Sequence, residues 1–386
     1  MTFAGRLFLA QTGVLLGIGV LMVYSASVTS RPTEFERVYL VRHLAAAGVG
    51  LMGAYLASLI RVDQWRRWAP YLFWGVCLLL VLVLIPGIGT KVKGARRWLR
   101  IAGVSVQPSE LAKIALPLWT CLLITARAAD LQHWRRGTIS VLWPAGIIIP
   151  LVLIEPDLGT AAFLMLGTLL AVYLGGWPIR RFAWGFLLLI PASAGLWFLK
   201  PYQVQRLTGF VETWHDLDAA PYQIRQSLVS LGAGGWWGEG LGKGWQKLSF
   251  LPEANTDFVF AVIGEELGLS GTLGLVVIWC GVYLCGIRLL SEHDPRSFEF
   301  LAGSTLLTQL GVQAIFNVAV VTAMVPPKGI SHPLISAGGS NLVASLVTLG
   351  IVWSLARSSS QASSVSDQRE SCREVPFPDL GLPVTT

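Results

Sequence analysis

Long uninterrupted runs of apolar residues dominate the chain and predict membrane-spanning helices. The apolar positions follow neither the 3.6-residue period of an amphipathic helix nor the alternation of a half-buried strand. A run of about 20 apolar residues is long enough to cross the hydrocarbon core of a bilayer. We therefore predict an all-α fold, a polytopic transmembrane helical bundle of about ten spans. The spans are predicted at residues 7–26, 38–60, 68–86, 108–126, 139–154, 160–176, 182–199, 258–288, 299–324 and 333–356.

The composition agrees with a membrane protein. Hydrophobic residues make up 53% of the chain and charged residues 13%, with a mean hydropathy of +0.60, whereas a soluble domain carries about 25% charged residues. The five cysteines lie in apolar runs or in the tail, so neither a disulfide nor a cysteine metal site is expected. The net charge of +7 is interpreted mainly as a topology signal, and no nucleic-acid partner is expected.

The basic residues of the short loops predict the orientation of the chain in the membrane. Arg66, Arg135, Arg180 and Arg288 lie in alternate loops, and short cytoplasmic loops are enriched in Lys and Arg. The side that holds these loops and both termini is therefore predicted to be cytoplasmic.

This topology divides the chain into two parts. Residues 1–357 are predicted to form the ten-span membrane domain, which includes a large extracytoplasmic loop at residues 200–257. Residues 358–386 form a polar cytoplasmic tail, rich in Ser and Pro, that is predicted to be disordered. The tryptophans of the large loop suggest that part of it lies at the membrane interface. They are Trp214, Trp236, Trp237 and Trp245.

Two loops on the outer side carry positive charge, although Lys and Arg are usually enriched in cytoplasmic loops. The segment 87–107 contains Arg96 and Arg97, and the hairpin 325–332 contains Lys328. These residues are either tolerated solvated charges or a site for an anion such as phosphate, which Arg binds well.

Several spans contain ionisable or polar residues, which are costly in a membrane unless they face a cavity or a partner. Glu110 and Lys113 are three residues apart, so they can meet on one helix face, as a structural ion pair or as part of a site. The ninth predicted span carries polar residues at four-residue spacing, a pattern that usually joins helices. These residues are Thr305, Gln309, Gln313 and Asn317.

Carboxylates also mark the outer ends of two spans. Glu155 and Asp157 lie in a tight turn between the fifth and sixth spans, where Asp157 could cap the next helix. Asp257 lies at the outer mouth of the eighth span, with Glu265 two turns farther in and on a neighbouring face. Thr256 or Asp257 could instead cap that helix.

The last span begins with small and polar residues, Ser336, Gly338, Gly339 and Ser340. Glycine permits a bend or a close approach of the backbone, although a plain helix-packing patch is the alternative. These residues, the two basic loops and the outer carboxylates all fall on the same side of the membrane. Together they predict one cleft that opens to the outside.

The same segments resemble the SEDS family, which includes FtsW, RodA and SpoVE. The similarity covers nearly the whole membrane region in the family's order. Lys328-Gly329 is most similar to the FtsW branch, whereas His332, Ala337 and Asn341 depart from the usual family residues. The matching segments are Val23 to Ser27, Gly94 to Leu99, Gln107 to Lys113, Glu155 to Thr160, Gln226 to Leu228, Gly232 to Gly244, Leu251 to Gly268 and Pro327 to Ser340.

The resemblance implies a peptidoglycan glycosyltransferase that polymerises lipid II at the outer face of the bacterial cytoplasmic membrane. It further implies a role at the division septum, a class B penicillin-binding protein as partner and other division proteins nearby. Asp257 matches the aspartate on which the family depends and would act as the catalytic base. A divalent cation, Mg²⁺ or Mn²⁺, could assist, and no other cofactor is expected. The substrate-binding candidates are Arg96, Arg97, Glu110, Lys113, Glu155, Asp157, Glu265, Lys328, Ser336, Gly338, Gly339 and Ser340.

Three other functions remain open at this stage. The chain could be an elongation-type polymerase of the RodA kind, a flippase for lipid II, or a scaffold of the division complex without activity. A flippase must open to both sides of the membrane and needs polar groups through the cytoplasmic half. The strongest motifs lie in the outer half, which favours chemistry there.

Overall fold

A computed structural model describes most of the 386-residue chain. The described residues are 2–27, 34–92, 95–101, 104–128, 134–177, 208–216, 220–246, 250–326 and 329–373. The principal helices are α1 (Phe3–Ser27), α2 (Glu34–Leu59), α3 (Val62–Leu84), α4 (Pro108–Ala126), α5 (Trp134–Ile154), α6 (Leu158–Leu174), α7 (Tyr222–Gly234), α8 (Val259–Leu290), α9 (Phe298–Val321) and α10 (Gly339–Arg373). The strands are β1 (Gly89–Val92), β2 (Ala95–Ile101) and β3 (Val104–Val106).

The predicted polytopic helical bundle is confirmed. Within the described residues, seven helices are long and apolar enough to cross a membrane, and α5 and α6 contribute two shorter apolar helices. These nine helices correspond to nine predicted spans, and α4 has the predicted bounds. The predicted span at 182–199 lies outside the described residues.

The last predicted span needs correction at its outer end. Residues 329–338 are irregular and include Leu334 with a φ of 66°, so the helix begins at Gly339 rather than at 333. At its other end the apolar, membrane-spanning part of α10 ends at Arg357, as predicted, while the helix itself continues through polar residues to Arg373, because adding residues to an existing helix avoids the cost of nucleation. Disorder stays a prediction for residues 374–386, which lie outside the described part.

Helix α8 is interrupted within the predicted eighth span. Gly268 has a φ of 67° and a ψ of −164°, a conformation that favours glycine over any residue with a Cβ. The span therefore consists of a short outer half-helix, residues 259–267, and a longer inner helix, residues 269–290.

A three-stranded antiparallel sheet connects α3 to α4, which the sequence analysis did not predict. Its order is β1-β2-β3, with Gly89 opposite Leu99 and Arg100 opposite Ser105. A Cβ on Gly89 would lie 1.8 Å from the Val83 carbonyl oxygen, which shows that the first strand packs directly on the end of α3. The sheet thus lies at the outer end of that span.

Two groups of buried side chains hold the bundle together. The larger one joins α1, α2, α8, α9 and α10, and the smaller one joins α3, α4, α5 and α6 around Phe73, Leu116 and Ile148. Helix α4 contacts both groups, so its polar outer end lies between them. This position brings α4 beside α9 and α10, where the candidate site forms.

Candidate active site

Asp257 lies in the turn that precedes α8 and is only partly buried. The helix begins after Phe258 without a side-chain cap, so neither Asp257 nor Thr256 serves as the cap that the sequence allowed. The Thr256 hydroxyl donates to the Glu253 carboxylate at 3.0 Å instead. The Asp257 carboxylate is therefore not committed to satisfying the helix end.

Helix α9 fixes the position of this turn. The Asn317 side-chain amide donates to the carbonyl oxygens of Asp257 (2.7 Å) and Ile330 (2.8 Å). The Ser331 hydroxyl approaches Asp257 Oδ1 at 3.4 Å, and a Cβ on Gly329 would lie 2.8 Å from Asp257 Oδ2. The segment that begins at Gly329 thus covers one side of the carboxylate.

Further hydrogen bonds hold the segment 329–338 against the Asp257 turn. Ser336 donates its hydroxyl to the Thr256 carbonyl oxygen at 2.5 Å and accepts the backbone N–H of His332 at 2.7 Å. The Ala337 N–H donates to the Asn255 carbonyl oxygen at 2.8 Å. Ser336, a predicted substrate ligand, is therefore a structural residue here, and its binding role stays a prediction.

The predicted pair of Glu110 and Lys113 forms, with Lys113 Nζ 2.8 Å from Glu110 Oε1. Lys113 also donates to Gln313 Oε1 at 3.1 Å, and Gln313 in turn donates to the Ser331 carbonyl oxygen at 2.9 Å. Asn341, one of the departures from the family pattern, donates to Glu110 at 3.0 Å. A continuous polar network therefore connects the ion pair inside α4 to the residue that approaches Asp257.

The polar stripe of α9 does more than join helices. Beneath the ion pair lies a cavity of about 20 Å³, room for about one water molecule. Gln309 lines it, and neither atom of its buried amide has a hydrogen-bond partner among the described residues. Gln313 and Asn317 bind the outer segments, so only the inner part of the stripe, where Thr305 faces Cys121 at 3.7 Å, matches simple helix packing.

The turn between α5 and α6 has the capping role that the sequence allowed. Asp157 accepts the Thr160 N–H at 3.2 Å and the Thr160 hydroxyl at 3.0 Å. Arg97 lies 3.8 Å from the Asp157 carboxylate and donates to the carbonyl oxygens of Glu155 and Pro156. Arg97 therefore supports this turn, and its role as a phosphate ligand stays a prediction.

Gln107 joins this turn to the start of α10. Its side chain approaches Asp157 Oδ2 at 3.4 Å, and its backbone N–H donates to the Ser340 hydroxyl at 3.1 Å. Ser340 then donates to the Ser105 carbonyl oxygen on β3 at 3.1 Å. The predicted residues of four separate segments thus form one outer polar wall.

Glu155 differs from the other carboxylates of the wall. Its side chain is 1% exposed, and neither carboxylate oxygen has a hydrogen-bond partner among the described residues. Burial, together with the neighbouring Asp157 charge, raises the pKa of Glu155 to about 8, although Arg97 opposes the shift. Glu155 is consequently a neutral acid at neutral pH.

Glu265 does not join the Asp257 side of the site. Its carboxylate accepts the backbone N–H groups of Trp245 (2.5 Å) and Gln246 (3.0 Å), and so holds the glycine-rich loop that precedes α8. The sequence analysis gave no role to Glu266, which accepts the Ser25 hydroxyl of α1 at 2.7 Å. The sequence did indicate a role for Glu266, because a carboxylate inside a predicted span needs a partner.

Within the described part of the chain, the other predicted substrate-binding residues make no contact that bears on a binding role. Neither Gly338 nor Gly339 has a positive φ, and a Cβ on either would meet only ordinary contacts, so protein packing does not require glycine there. Lys328 lies outside the described residues. Arg96 pairs across the sheet with Lys91.

The described residues do not offer a preformed metal site. No group of three or more His, Cys, Asp or Glu side chains among them could hold an ion. A divalent cation stays a prediction, because Mg²⁺ is usually held by one or two carboxylates together with substrate phosphates rather than by a cluster of protein ligands.

Comparison with known proteins places the chain in a family. The family described as "Cell cycle protein", FTSW_RODA_SPOVE, matches residues 6–361. "Probable peptidoglycan glycosyltransferase FtsW" of Geobacter sp. (strain M18) is 36% identical and covers 88% of this chain and 93% of the relative. "Stage V sporulation protein E" of Bacillus subtilis (strain 168) is 32% identical and covers 90% of this chain and 95% of the relative.

Two solved structures are similar over nearly their full length. A chain of the structure described as "Structural coordination of polymerization and crosslinking by a peptidoglycan synthase complex" has a TM-score of 0.76 at 26% identity, covering 92% of this chain and 98% of that one. Thermus thermophilus RodA has a TM-score of 0.64 at 27% identity, covering 91% and 95%. The chain therefore belongs to the FtsW/RodA/SpoVE family of multi-pass membrane proteins, as its sequence motifs predicted.

Proposed function

We propose that this protein is a peptidoglycan glycosyltransferase that polymerises lipid II at the outer face of the cytoplasmic membrane. The observation that carries the proposal is the partly exposed Asp257 carboxylate, which α9 and the segment 329–338 fix at the outer end of the bundle. The names of the curated FtsW relatives support the same enzyme class.

In the proposed reaction the 4-hydroxyl of an acceptor lipid II attacks C1 of the growing donor chain. The new bond joins that oxygen to C1, and the bond from C1 to the pyrophosphate oxygen breaks. Asp257 takes the hydroxyl proton, since a sugar hydroxyl is a weak nucleophile that a positioned carboxylate activates. A single displacement inverts the anomeric carbon, and undecaprenyl pyrophosphate leaves without needing a proton.

The leaving group needs charge stabilisation rather than an acid. Lys328 and Arg96 are the proposed cationic contacts, because Arg97 already donates two hydrogen bonds to the turn between α5 and α6 and lies 3.8 Å from Asp157. The absence of side chains at Gly338 and Gly339 is proposed to let the substrate approach the backbone beside the wall closely. Glu110 and Lys113 are proposed to order the wall through Gln313 rather than to react.

The biological setting is proposed from the same branch of the family. The curated FtsW relatives and the Lys328-Gly329 motif support septal wall synthesis during division over the elongation role of RodA. The similar solved structure of a synthase complex for polymerisation and crosslinking supports a class B penicillin-binding protein as partner. Other division proteins are proposed to assemble at the same place.

The test is glycan polymerisation from purified lipid II by the full chain with its cognate penicillin-binding protein. Asp257→Asn should reduce the rate about 100-fold or more, the usual contribution of a catalytic base. The matched control is Asp63→Asn, at an exposed aspartate in the first turn of α3, which should leave the rate unchanged.

Two outcomes would contradict this proposal. Full polymerisation by a folded Asp257→Asn protein would remove Asp257 from the chemistry. Translocation of lipid II by the wild-type complex without any polymer would instead identify a flippase.

A further inference from the structure

The glycine-rich loop before α8, residues 235–246, is joined to that helix at its break; we call it the tryptophan loop. A break leaves carbonyl oxygens of the first half and N–H groups of the second half without helical partners. Here the tryptophan loop supplies those partners. The hydrogen bonds run from Glu239 N to Glu265 O (3.0 Å), Gly240 N to Glu266 O (3.0 Å), Leu269 N to Gly235 O (2.9 Å) and Ser270 N to Trp236 O (3.1 Å).

Side chains and close packing strengthen this junction. The Glu265 carboxylate accepts two further N–H groups from the end of the tryptophan loop, those of Trp245 and Gln246. Gly238 has a φ of 77°, and a Cβ there would lie 2.1 Å from the Glu266 carbonyl oxygen. The tryptophan loop and the outer half-helix 259–267 therefore behave as one rigid unit.

Large aromatic side chains of this unit point away from the protein. Trp236 is 71% exposed, Trp237 84% and Trp245 68%. Three exposed tryptophans on one short loop form an apolar surface that is unusual in contact with water. The fixed backbone beneath them means that they cannot turn inward together.

The position of this surface along the membrane normal follows from the lengths of two long helices, α8 and α9. Helices α8 and α9 are joined at their inner ends by the short segment 291–297. At 1.5 Å per residue, Gly268 lies about 33 Å from Leu290, and Asn317 lies about 28 Å from Phe298. Both distances match the thickness of the hydrocarbon core, about 30 Å.

Asp257 lies at about the same level along the membrane normal as the break at Gly268. Asn317 lies near that level, and its side chain binds the Asp257 carbonyl oxygen directly. The half-helix 259–267 that separates Asp257 from Gly268 must therefore run across the outer end of the bundle, where nearly all of its residues are buried by neighbouring segments. The tryptophan loop, bound to Gly268 and its neighbours, lies at this level too.

We propose that the tryptophan loop inserts Trp236, Trp237 and Trp245 into the boundary between headgroups and acyl chains of the outer leaflet. Tryptophan prefers this boundary because its ring is apolar and its N–H is polar. Lys243, exposed on the same loop, can extend its ammonium group to the lipid phosphates. The occupant of this surface is lipid rather than a partner protein.

Such an anchor fixes the depth of Asp257, since the half-helix joins the two rigidly. This consequence rests on the proposed function, in which the reacting sugar lies just above the lipid pyrophosphate. The lipid contact itself does not depend on that function and can be measured without activity.

The test is quenching of tryptophan fluorescence by brominated phosphatidylcholine in reconstituted bilayers. Trp236→Phe/Trp237→Phe removes two of the sixteen tryptophans. The difference between the wild-type and the variant fluorescence is the emission of Trp236 and Trp237. This emission should be quenched more by bromines near the headgroup than by bromines deep in the acyl chain, and little by aqueous iodide. Trp68→Phe/Trp74→Phe is the matched control, because these tryptophans are exposed on α3 instead.

Each other outcome would overturn the proposal. Strong iodide quenching of the Trp236 and Trp237 emission would place the surface in water. Protection from brominated lipid only when the cognate penicillin-binding protein is present would assign the surface to that partner. Full polymerisation by Asp257→Asn would contradict the proposed function and leave these quenching results unchanged, so the two proposals fail separately.

Discussion

Two buried glutamates of the outer wall, Glu110 and Glu155, have opposite surroundings. Glu110 is 7% exposed and contacts Lys113 and Asn341, whereas Glu155 is 1% exposed and its carboxylate has no hydrogen-bond partner among the described residues. Both residues were predicted from the sequence to be substrate ligands. Their surroundings give them different physical roles: the first is a charged member of a network, and the second is a neutral acid at neutral pH.

The largest effect is expected from removing the cation of the paired glutamate. Lys113→Met leaves the Glu110 charge buried without its partner, which costs about 3–5 kcal/mol. Thermal unfolding of the purified protein in detergent measures the loss. Arg66→Met is the control, because its pair with Glu299 is half-exposed and should cost about 1 kcal/mol or less. Equal losses of stability in the two variants would show that burial of the Glu110–Lys113 pair does not increase its contribution to stability.

A smaller effect is expected from Asn341→Ala. It removes one hydrogen bond to the Glu110 carboxylate, and bonds to charged groups contribute about 1.5–3 kcal/mol. The double variant with Lys113→Met should lose less than the sum of the single losses, because both residues act on the same carboxylate. Unfolding measurements on all four proteins give this coupling, and strict additivity would separate Asn341 from the network.

The smallest effect at neutral pH is expected from Glu155→Gln, which replaces a neutral acid by a neutral amide of similar shape. In the wild type the folded-state pKa is raised from 4.5 to about 8, so the folded protein binds the proton more tightly than the unfolded chain. This stabilisation is fully present below pH 4.5 and is lost as the pH rises through 8.

Thermal unfolding between pH 5 and pH 9 checks this prediction. The wild type should lose stability with rising pH relative to Glu155→Gln, and the two curves should lie closest at the acid end. Parallel curves across the range would mean that Glu155 is ionised in the folded protein. Arg97 would then be its counter-charge rather than a support of the turn.

The features that the sequence predicted are those with local physical causes. Long apolar runs predicted the spans, and α4 has the predicted bounds, with Pro108 in its first turn, where proline is well tolerated. The spacing of Glu110 and Lys113 was enough to predict their contact. The common outer location of the motifs predicted one cleft; hydrogen bonds do join several of them at the outer end of the bundle, and the cleft itself stays a prediction.

The features that were missed depend on contacts between distant segments. The break at Gly268 lies inside an apolar run and needs the tryptophan loop to satisfy its backbone groups. The sheet between α3 and α4 was hidden because its strands are short and carry several charged residues. Ser25 and Glu266 are far apart in sequence, so their hydrogen bond could not be predicted from spacing.

The break in α8 also bears on how the protein is made. Without the tryptophan loop, the carbonyl and N–H groups at the break would each cost several kcal/mol in lipid. The tryptophan loop precedes α8 in the chain, so during translation it leaves the ribosome first. We therefore expect the partner for the break to be available when the inner helix enters the bilayer, so that these backbone groups need not wait for a later segment of the chain.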